Sequence, residues 1–176
     1  DFDLGGAEIA FHDLTPGNSG GQYRLDTDVD IETCSDIGGG YNLSSVRSNE
    51  WMRYTVNVAA AGIYTLQARV ASAGQGGTFR IYFDNQDKTG PVTVPNTGGN
   101  WQNVTVTNIP LISGPLVMRV LMLSDGPSGA VGKFNSFSLA LVSTNTPPTV
   151  SLVSPVTGSS FAVPAVIPLS ATASDP

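Results

Sequence analysis

Apolar and polar side chains alternate along two neighbouring stretches near the middle of the chain. In the second stretch, residues 63–70, Tyr64, Leu66, Ala68 and Val70 fall on one side, and Thr65, Gln67 and Arg69 fall on the other. Side chains two residues apart lie on the same face of a strand. The first stretch, residues 51–58, alternates in a similar way, and a four-residue connector, 59–62, joins the two. The pattern predicts a β-hairpin with one buried face.

Further short alternating stretches occupy most of the remaining chain up to residue 142. They predict strands at 7–12, 23–24, 29–32, 78–83, 92–94, 102–108, 116–123 and 134–142. No window sustains the 3.6-residue period of an amphipathic helix, and turn-forming residues recur between the stretches. We therefore predict an all-β fold.

Composition excludes several classes of function. With 20 Gly, 12 Pro and 12% charged residues, the chain suits many short strands and tight turns. A formal net charge of −6 argues against a broad phosphate-binding surface, so no nucleic-acid partner is expected. No apolar run approaches the roughly 20 residues of a membrane helix, so no membrane insertion is expected. Cys34 is the single cysteine, which rules out an internal disulfide.

Three separate motifs carry a resemblance to a known family. The central stretch GGGYNLSSVRSNEWMRYTVNVAAAGIYTLQARVAS, the opening FDLGGAEIAFHDLTPGNSGGQYRLDTDVDIE and the later VPNTGGNWQNVTVTNIPL are similar to family 6 carbohydrate-binding modules. The resemblance covers residues 1–142. It implies a jelly-roll β-sandwich of two antiparallel sheets. It also implies a secreted, non-catalytic module that holds a polysaccharide near a catalytic glycanase domain of the same polypeptide.

Composition changes at residue 143, and this change predicts the domain organisation. Residues 1–142 form the carbohydrate-binding-type sandwich, residues 143–148 form a Pro-Pro linker, and residues 149–176 resemble the start of a bacterial immunoglobulin-like repeat. About thirty residues cannot bury a core of their own. The tail is therefore expected to be mobile, to dock on the first domain, or to pair with another chain through its strand edges.

The first candidate ligand residues are Trp101 and Glu32. Trp101 follows Gly98-Gly99-Asn100, where a large ring has no evident role in a core, and it matches the family's stacking tryptophan. Saccharide rings pack their C–H faces on aromatic rings. Glu32 matches the family's acidic residue that accepts hydrogen bonds from sugar hydroxyls. A Trp101 that folds back to cap the sandwich edge and a solvated Glu32 are the structural alternatives.

The chain departs from the family pattern at three further positions. The second stacking aromatic falls on Ser45, so Tyr41 is the candidate replacement, with a plain loop tyrosine as the alternative. The cleft asparagine falls on Lys133, or on Asn135 if the alignment shifts by two residues. Lys133 with Arg47 would favour anionic sugars, unless both cations are solvated or paired with acids such as Glu32.

The resemblance also implies a structural calcium ion at the edge of the sandwich. Calcium takes six to eight hard oxygen ligands. The backbone carbonyl of Arg24, the carboxylate of Asp28 and the side chain of Asn135 are the candidate ligands. The chain lacks the acidic Glu-Ala-Glu strand that precedes these residues in the family, and Asn135 carries no charge.

Catalysis is the competing class of function. A glycosidase needs two separated carboxylates, and a hydrolase triad needs a base. His12 is the single histidine, with no nucleophile motif near it, and the acids cluster between Asp26 and Glu32. We therefore expect a polysaccharide-binding module that is not an enzyme. A spacer with a degenerate cleft is the second alternative. Agar-type or sulfated galactans, β-glucans and xylans all remain open as ligands.

Overall fold

The computed structural model describes residues 1–144 and 149–174. The chain divides into two compact units, Asp1–Ser143 and Thr144–Pro176. Every regular element among the described residues is a β-strand, which confirms the all-β prediction. No helix in the described part of the chain is long and apolar enough to cross a membrane.

The strands of the first unit are short at its start and long at its end. Their bounds are β1 Phe11–His12, β2 Ile31–Thr33, β3 Tyr41–Val46, β4 Trp51–Val58, β5 Gly62–Ala71, β6 Thr78–Phe83, β7 Gln86–Asp87, β8 Val92–Thr93, β9 Gln102–Leu111, β10 Gly114–Ser124 and β11 Gly132–Thr144. The second unit contributes β12 Thr149–Ser154 and β13 Ser170–Ser174.

Two antiparallel sheets pack face to face in the first unit. Sheet A has the order β1-β4-β10-β6-β7, with β8 also paired to β6, and sheet B has the order β2-β3-β11-β5-β9. Inward side chains from both sheets form one core, in which Phe79 of sheet A meets Phe134 of sheet B edge to face at 5.2 Å. The predicted jelly-roll β-sandwich is confirmed.

The predicted hairpin is wrong, although both of its strands exist. β4 lies in sheet A, where it pairs with β1 and β10, whereas β5 lies in sheet B beside β11 and β9. The connector 59–61 therefore carries the chain from one sheet to the other. Its sequence, Ala-Ala-Ala before Gly62, lacks the Asn-Gly or Asp-Gly signal of a tight hairpin turn. Each strand buries its apolar side against the opposite sheet instead of pairing with its neighbour in sequence.

Other boundaries also differ from the predictions. The predicted strand at 7–12 shortens to β1, and 23–24 is not a strand, because Tyr23 and Arg24 adopt left-handed backbone angles of φ 32° and 57°. β11 extends to Thr144, so the first two residues of the predicted linker are strand, and 145–148 lie outside the described residues. In the second unit, β12 and β13 pair with each other as a two-stranded antiparallel sheet. The immunoglobulin-like assignment of that unit stays a prediction.

Candidate functional site

A cleft of about 380 Å³ opens among the loops at one end of the sandwich. Trp101 is its aromatic wall and Lys133 its charged lining residue. Small side chains line the remainder: Ser35, Ser45, Ala71, Ser72, Ala73, Gly99, Ser128, Ala130 and Gly132. A concave surface with one large ring and many small neighbours leaves room for a bulky ligand beside that ring.

The loop before β9 holds Trp101 at the cleft. The backbone N–H groups of Thr97 and Gly99 both donate to the carbonyl of Ser72, at 3.1 and 3.0 Å. Between them, Gly98 adopts φ 61°, a left-handed conformation that glycine takes without strain. The indole Nε1 of Trp101 then donates to Ser35 Oγ at 3.2 Å. This hydrogen bond fixes the ring's edge, so the ring does not fold back into the core.

Glu32 and Lys133 form an ion pair on the outer side of sheet B. Lys133 Nζ lies 2.5 Å from Glu32 Oε1, and the same oxygen accepts from Asn42 Nδ2 at 3.1 Å. Partial burial acts to raise the pKa of Glu32, but the hydrogen bonds from Lys133 and Asn42 outweigh it and hold this pKa below its usual value. The charge of Lys133 is therefore compensated, and the structure favours the paired alternative for this lysine.

Tyr41 and Asn135 do not line the loop cleft. They line a separate cavity of about 350 Å³, together with Tyr23 and the partly buried Tyr54 and Phe137. The rings of Tyr41 and Tyr23 stack at 5.1 Å with 14° between their planes. Tyr41 therefore does not replace the missing aromatic at Ser45. Ser45 itself lines the cleft, and its small side chain cannot serve as a second stacking wall.

Asn135 belongs to a polar network on sheet B. Its Nδ2 donates to Asp36 Oδ2 at 2.8 Å. Arg69 donates one hydrogen bond to each oxygen of the same carboxylate, both at 2.7 Å. The hydrogen bonds from Arg69, together with that from Asn135, hold the pKa of Asp36 far below its usual range. The network anchors the loop after β2, which also carries Ser35 and therefore the partner of Trp101.

The three candidate calcium ligands have separate partners. The Arg24 carbonyl accepts from Thr27 N and Oγ1, Asp28 Oδ1 accepts from Gly17 N at 2.7 Å, and Asn135 donates to Asp36. No group of three His, Cys, Asp or Glu side chains that could hold a metal ion occurs among the described residues. One carboxylate is among these three residues, and calcium takes six to eight oxygen ligands. Calcium binding stays a prediction.

Two of the five predicted ligand residues, Trp101 and Lys133, thus line the cleft, and Glu32 is connected to it through Lys133. Sequence reasoning missed Ser35, whose hydroxyl holds the indole. Its only signal is its place in the loop after the strand that carries Glu32. Trp51, at the start of β4, is only partly buried, and its ring lies nearly parallel to that of His12 at 6.5 Å.

The described fold is a β-sandwich with a cleft among the loops at one end. The model of the family named Carbohydrate binding module (family 6) matches residues 21–158. The chain belongs to this family.

Two solved structures illustrate the similarity. The C-terminal family 6 module of the marine laminarinase LamC from Zobellia galactanivorans is 30% identical, with a TM-score of 0.56, over 64% of this chain and 88% of that one. A β-1,3-glucan-binding family 6 module from Bacillus halodurans is 28% identical, with a TM-score of 0.55, over 63% and 84%.

One curated relative is much longer than the chain. It is the clotting factor G alpha subunit of Tachypleus tridentatus, which is 35% identical over 85 residues. Those residues make up 47% of this chain and 12% of the relative, so the chain spans only a small part of that protein.

Proposed function

We propose that this protein binds a β-glucan chain in the loop cleft without cleaving it. The observation that carries the proposal is the position of the Trp101 indole. Ser35 fixes this ring by a hydrogen bond, and the ring faces a space lined by small side chains. A sugar ring can lie on the indole, while the hydroxyls of Ser35 and Ser45 are within the same lining.

The choice of β-glucan rests on the charge of the cleft and on the relatives. Lys133 is the charged lining residue, and its ion pair with Glu32 leaves the cleft without a free charge. A neutral polymer therefore suits it better than a sulfated one. The module from Bacillus halodurans binds β-1,3-glucan, and the module from Zobellia galactanivorans belongs to a laminarinase.

We further propose that the module is secreted and serves a glycanase domain of the same polypeptide by keeping it on its substrate. One similar module is, by its description, the C-terminal module of a marine laminarinase. If this holds, fusing the chain to a β-glucanase domain should raise hydrolysis of insoluble glucan and leave hydrolysis of soluble glucan unchanged.

Affinity electrophoresis tests the binding proposal. The chain is run through gels containing laminarin, mixed-linkage β-glucan, xylan or agarose. We expect the strongest retardation with a β-glucan. The face of the Trp101 ring should bury about as much apolar surface against a sugar as a large side chain buries in a core. Its loss should therefore reduce the binding free energy by about 1.5–3 kcal/mol. Trp101→Ala should therefore weaken binding about 10- to 150-fold.

Two substitutions serve as controls. Tyr41→Ala removes an exposed aromatic ring that does not line the cleft, and Phe161→Ala removes another from the second unit. Neither should change retardation by more than about twofold. Equal loss with Tyr41→Ala would move the site to the second cavity. No retardation with any polymer would favour the spacer alternative, and new reducing ends during incubation would show an enzyme.

A further inference from the structure

The outer face of sheet A gathers three of the chain's arginines. Arg53 on β4, Arg119 on β10 and Arg80 on β6 alternate with core residues: Met52 is 4% exposed, Val120 and Ile81 are 0% exposed. Because successive side chains of a strand point to opposite faces, all three arginines point away from the core. Trp51 and Tyr82 share this side with them, and we call these five residues the arginine face.

The strand register brings two of the charges directly opposite each other. Arg53 pairs with Arg119 across β4 and β10, and Arg119 pairs with Tyr82 across β10 and β6. Neighbouring strands lie about 4.8 Å apart. Like charges that face each other across strands are destabilising. The facing pair of Arg53 and Arg119 is therefore a local cost to stability that a bound anion would reduce.

Aromatic rings hold the two facing guanidinium groups in place. The Cζ of Arg53 lies 5.1 Å from the ring centre of Trp51, and the Cζ of Arg119 lies 4.6 Å from that of Tyr82. Cation–π contacts of this kind orient an arginine without neutralising it. The guanidinium groups are thus prearranged on the sheet.

Their hydrogen-bonding capacity is unused. Neither Arg53 nor Arg119 forms a salt bridge or a side-chain hydrogen bond with any of the residues that the structure describes. Arg80 contacts Asp87 at 3.3 Å, yet the Nε atoms of both Arg80 and Arg119 are buried without an acceptor. Buried donors without acceptors cost free energy that a bound acceptor would recover.

Nearby acids are engaged elsewhere. Asp3 accepts from the amide and the hydroxyl of Thr55, at 2.7 and 3.0 Å. Asp84 accepts from the amide of Val117 at 2.9 Å. A ligand that brings acceptors to the arginine face would therefore not compete with a protein carboxylate for Arg53 and Arg119.

We propose that the arginine face binds the sulfate or carboxylate groups of an acidic polysaccharide, at a site separate from the Trp101 cleft. Planar guanidinium groups pair bidentately with such oxyanions, and an anion between Arg53 and Arg119 would relieve their repulsion. Three arginines offer contacts to only a few anionic groups, whereas nucleic-acid binding uses many phosphate contacts, so a nucleic acid is disfavoured. The proposal does not require that the cleft bind a β-glucan.

Laminarin and chemically sulfated laminarin provide a matched pair of probes with the same backbone. At low salt the full chain should bind the sulfated polymer more tightly, and the gap should narrow as salt rises. Arg53→Gln and Arg119→Gln should each weaken binding of the sulfated polymer at least fivefold and leave binding of laminarin unchanged. Arg119→Lys keeps the charge but loses the planar guanidinium group, so its affinity for sulfated laminarin should lie between those of wild type and Arg119→Gln. Circular dichroism spectra confirm that each variant is folded.

Arg47→Gln is the control with the same change of charge. Arg47 is exposed on the turn after β3 and lies off the arginine face. It should leave binding of sulfated laminarin within twofold of wild type. Equal losses for Arg47→Gln and Arg119→Gln would show unspecific charge attraction and overturn the proposal. Loss with Lys133→Gln alone would place the anion in the cleft, which also overturns it.

Two further measurements separate the proposal from its competitors. Sucrose octasulfate should raise the melting temperature of wild type more than that of the Arg53→Gln, Arg119→Gln double variant, and equal shifts would contradict the site. A single-stranded oligonucleotide at the same salt should bind more weakly than sulfated laminarin. Tighter binding of the oligonucleotide would overturn the choice of a polysaccharide. Failure of laminarin binding alone would count against the β-glucan proposal and leave this one standing.

Discussion

The loop cleft and the arginine face share one β-sandwich, but they treat charge in opposite ways. In the cleft, Lys133 is paired with Glu32, and the aromatic ring of Trp101 is free to meet a ligand. On the arginine face, Arg53 and Arg119 have no acidic partner among the described residues, and their aromatic neighbours are occupied in holding them. In the cleft an aromatic ring is available to bind a sugar, whereas on the arginine face the aromatic rings orient the arginines. The difference predicts selectivity for neutral sugars in the cleft and for acidic sugars on the face.

The largest effect should come from the core that both sites share. Phe134 is 1% exposed and contacts Phe79 of the opposite sheet. Phe134→Ala removes a large buried ring and should lower the free energy of unfolding by about 3–5 kcal/mol. Urea denaturation measures this change, with the exposed Phe161→Ala as control. Binding at both sites should fall together with the folded fraction. Loss at one site with unchanged stability would show that the sites do not share this support.

The next effect isolates the indole hydrogen bond of the cleft. Ser35→Ala removes the acceptor of Trp101 Nε1, a neutral hydrogen bond worth about 0.5–1.5 kcal/mol. Binding of laminarin should weaken about 2- to 12-fold, measured by isothermal titration calorimetry. Binding of sulfated laminarin on the arginine face should not change. A variant that binds laminarin like wild type would mean that the ring needs no such anchor.

Freeing Lys133 should make the cleft resemble the arginine face. Glu32→Gln removes the carboxylate that pairs with this lysine, and exposed ion pairs of this kind are worth up to about 1 kcal/mol. Affinity for sulfated laminarin should rise by up to about fivefold in the Arg53→Gln, Arg119→Gln background, where the face no longer competes. No gain in that background would indicate that the lysine points its charge away from the ligand.

Acidification should separate stability from binding on the arginine face. Burial raises the pKa of Glu50 to about 6, with the nearby Asp13 and Asp30 acting in the same direction. A carboxyl whose pKa is higher in the folded state binds its proton more tightly there, so folding gains stability as pH falls from about 6.5 to 4.5. The gain is at most about 2 kcal/mol.

Thermal melts across this range measure that gain, and Glu50→Gln should flatten the profile. Affinity of the arginine face should not fall over this range, because guanidinium groups keep their charge. A wild-type melting temperature that falls steadily from pH 6.5 to 4.5 would contradict this role for Glu50. Below about pH 4.5 the opposite behaviour of Glu32 and Asp36 should appear, since their pKa values are lowered and their contribution is lost on protonation.

The sequence predicted which side of each strand is buried better than it predicted which strands pair. Leu66, Ala68 and Val70 are buried as their alternation indicates, because side-chain direction depends only on local geometry. The pairing of β4 with β10 depends on residues 56 to 70 positions apart, and no local pattern encodes it. The hairpin prediction was wrong because two adjacent strands show the same alternation of apolar and polar residues whether they pair in one sheet or lie in opposite sheets.

The candidate site shows the same limit. Trp101 was predicted as a site residue because a large ring in a glycine-rich loop is unusual. Its hydrogen-bond partner Ser35 lies 66 positions away, and no local pattern indicates that contact. Tyr41 was predicted to replace the missing aromatic, because its stacking on Tyr23 cannot be seen in the sequence: Tyr23 and Arg24 adopt left-handed backbone angles without being glycines. The arginines at 53, 80 and 119 each alternate with core residues, but only the strand register shows that they meet.

A competition titration tests most directly whether the two sites are separate. The chain is saturated with a neutral laminari-oligosaccharide and then titrated with sucrose octasulfate by isothermal titration calorimetry. We predict the same affinity for the anion as in the absence of the oligosaccharide, and the same stoichiometry. A loss of anion affinity that grows with oligosaccharide concentration would show that both ligands occupy one site and would contradict the account.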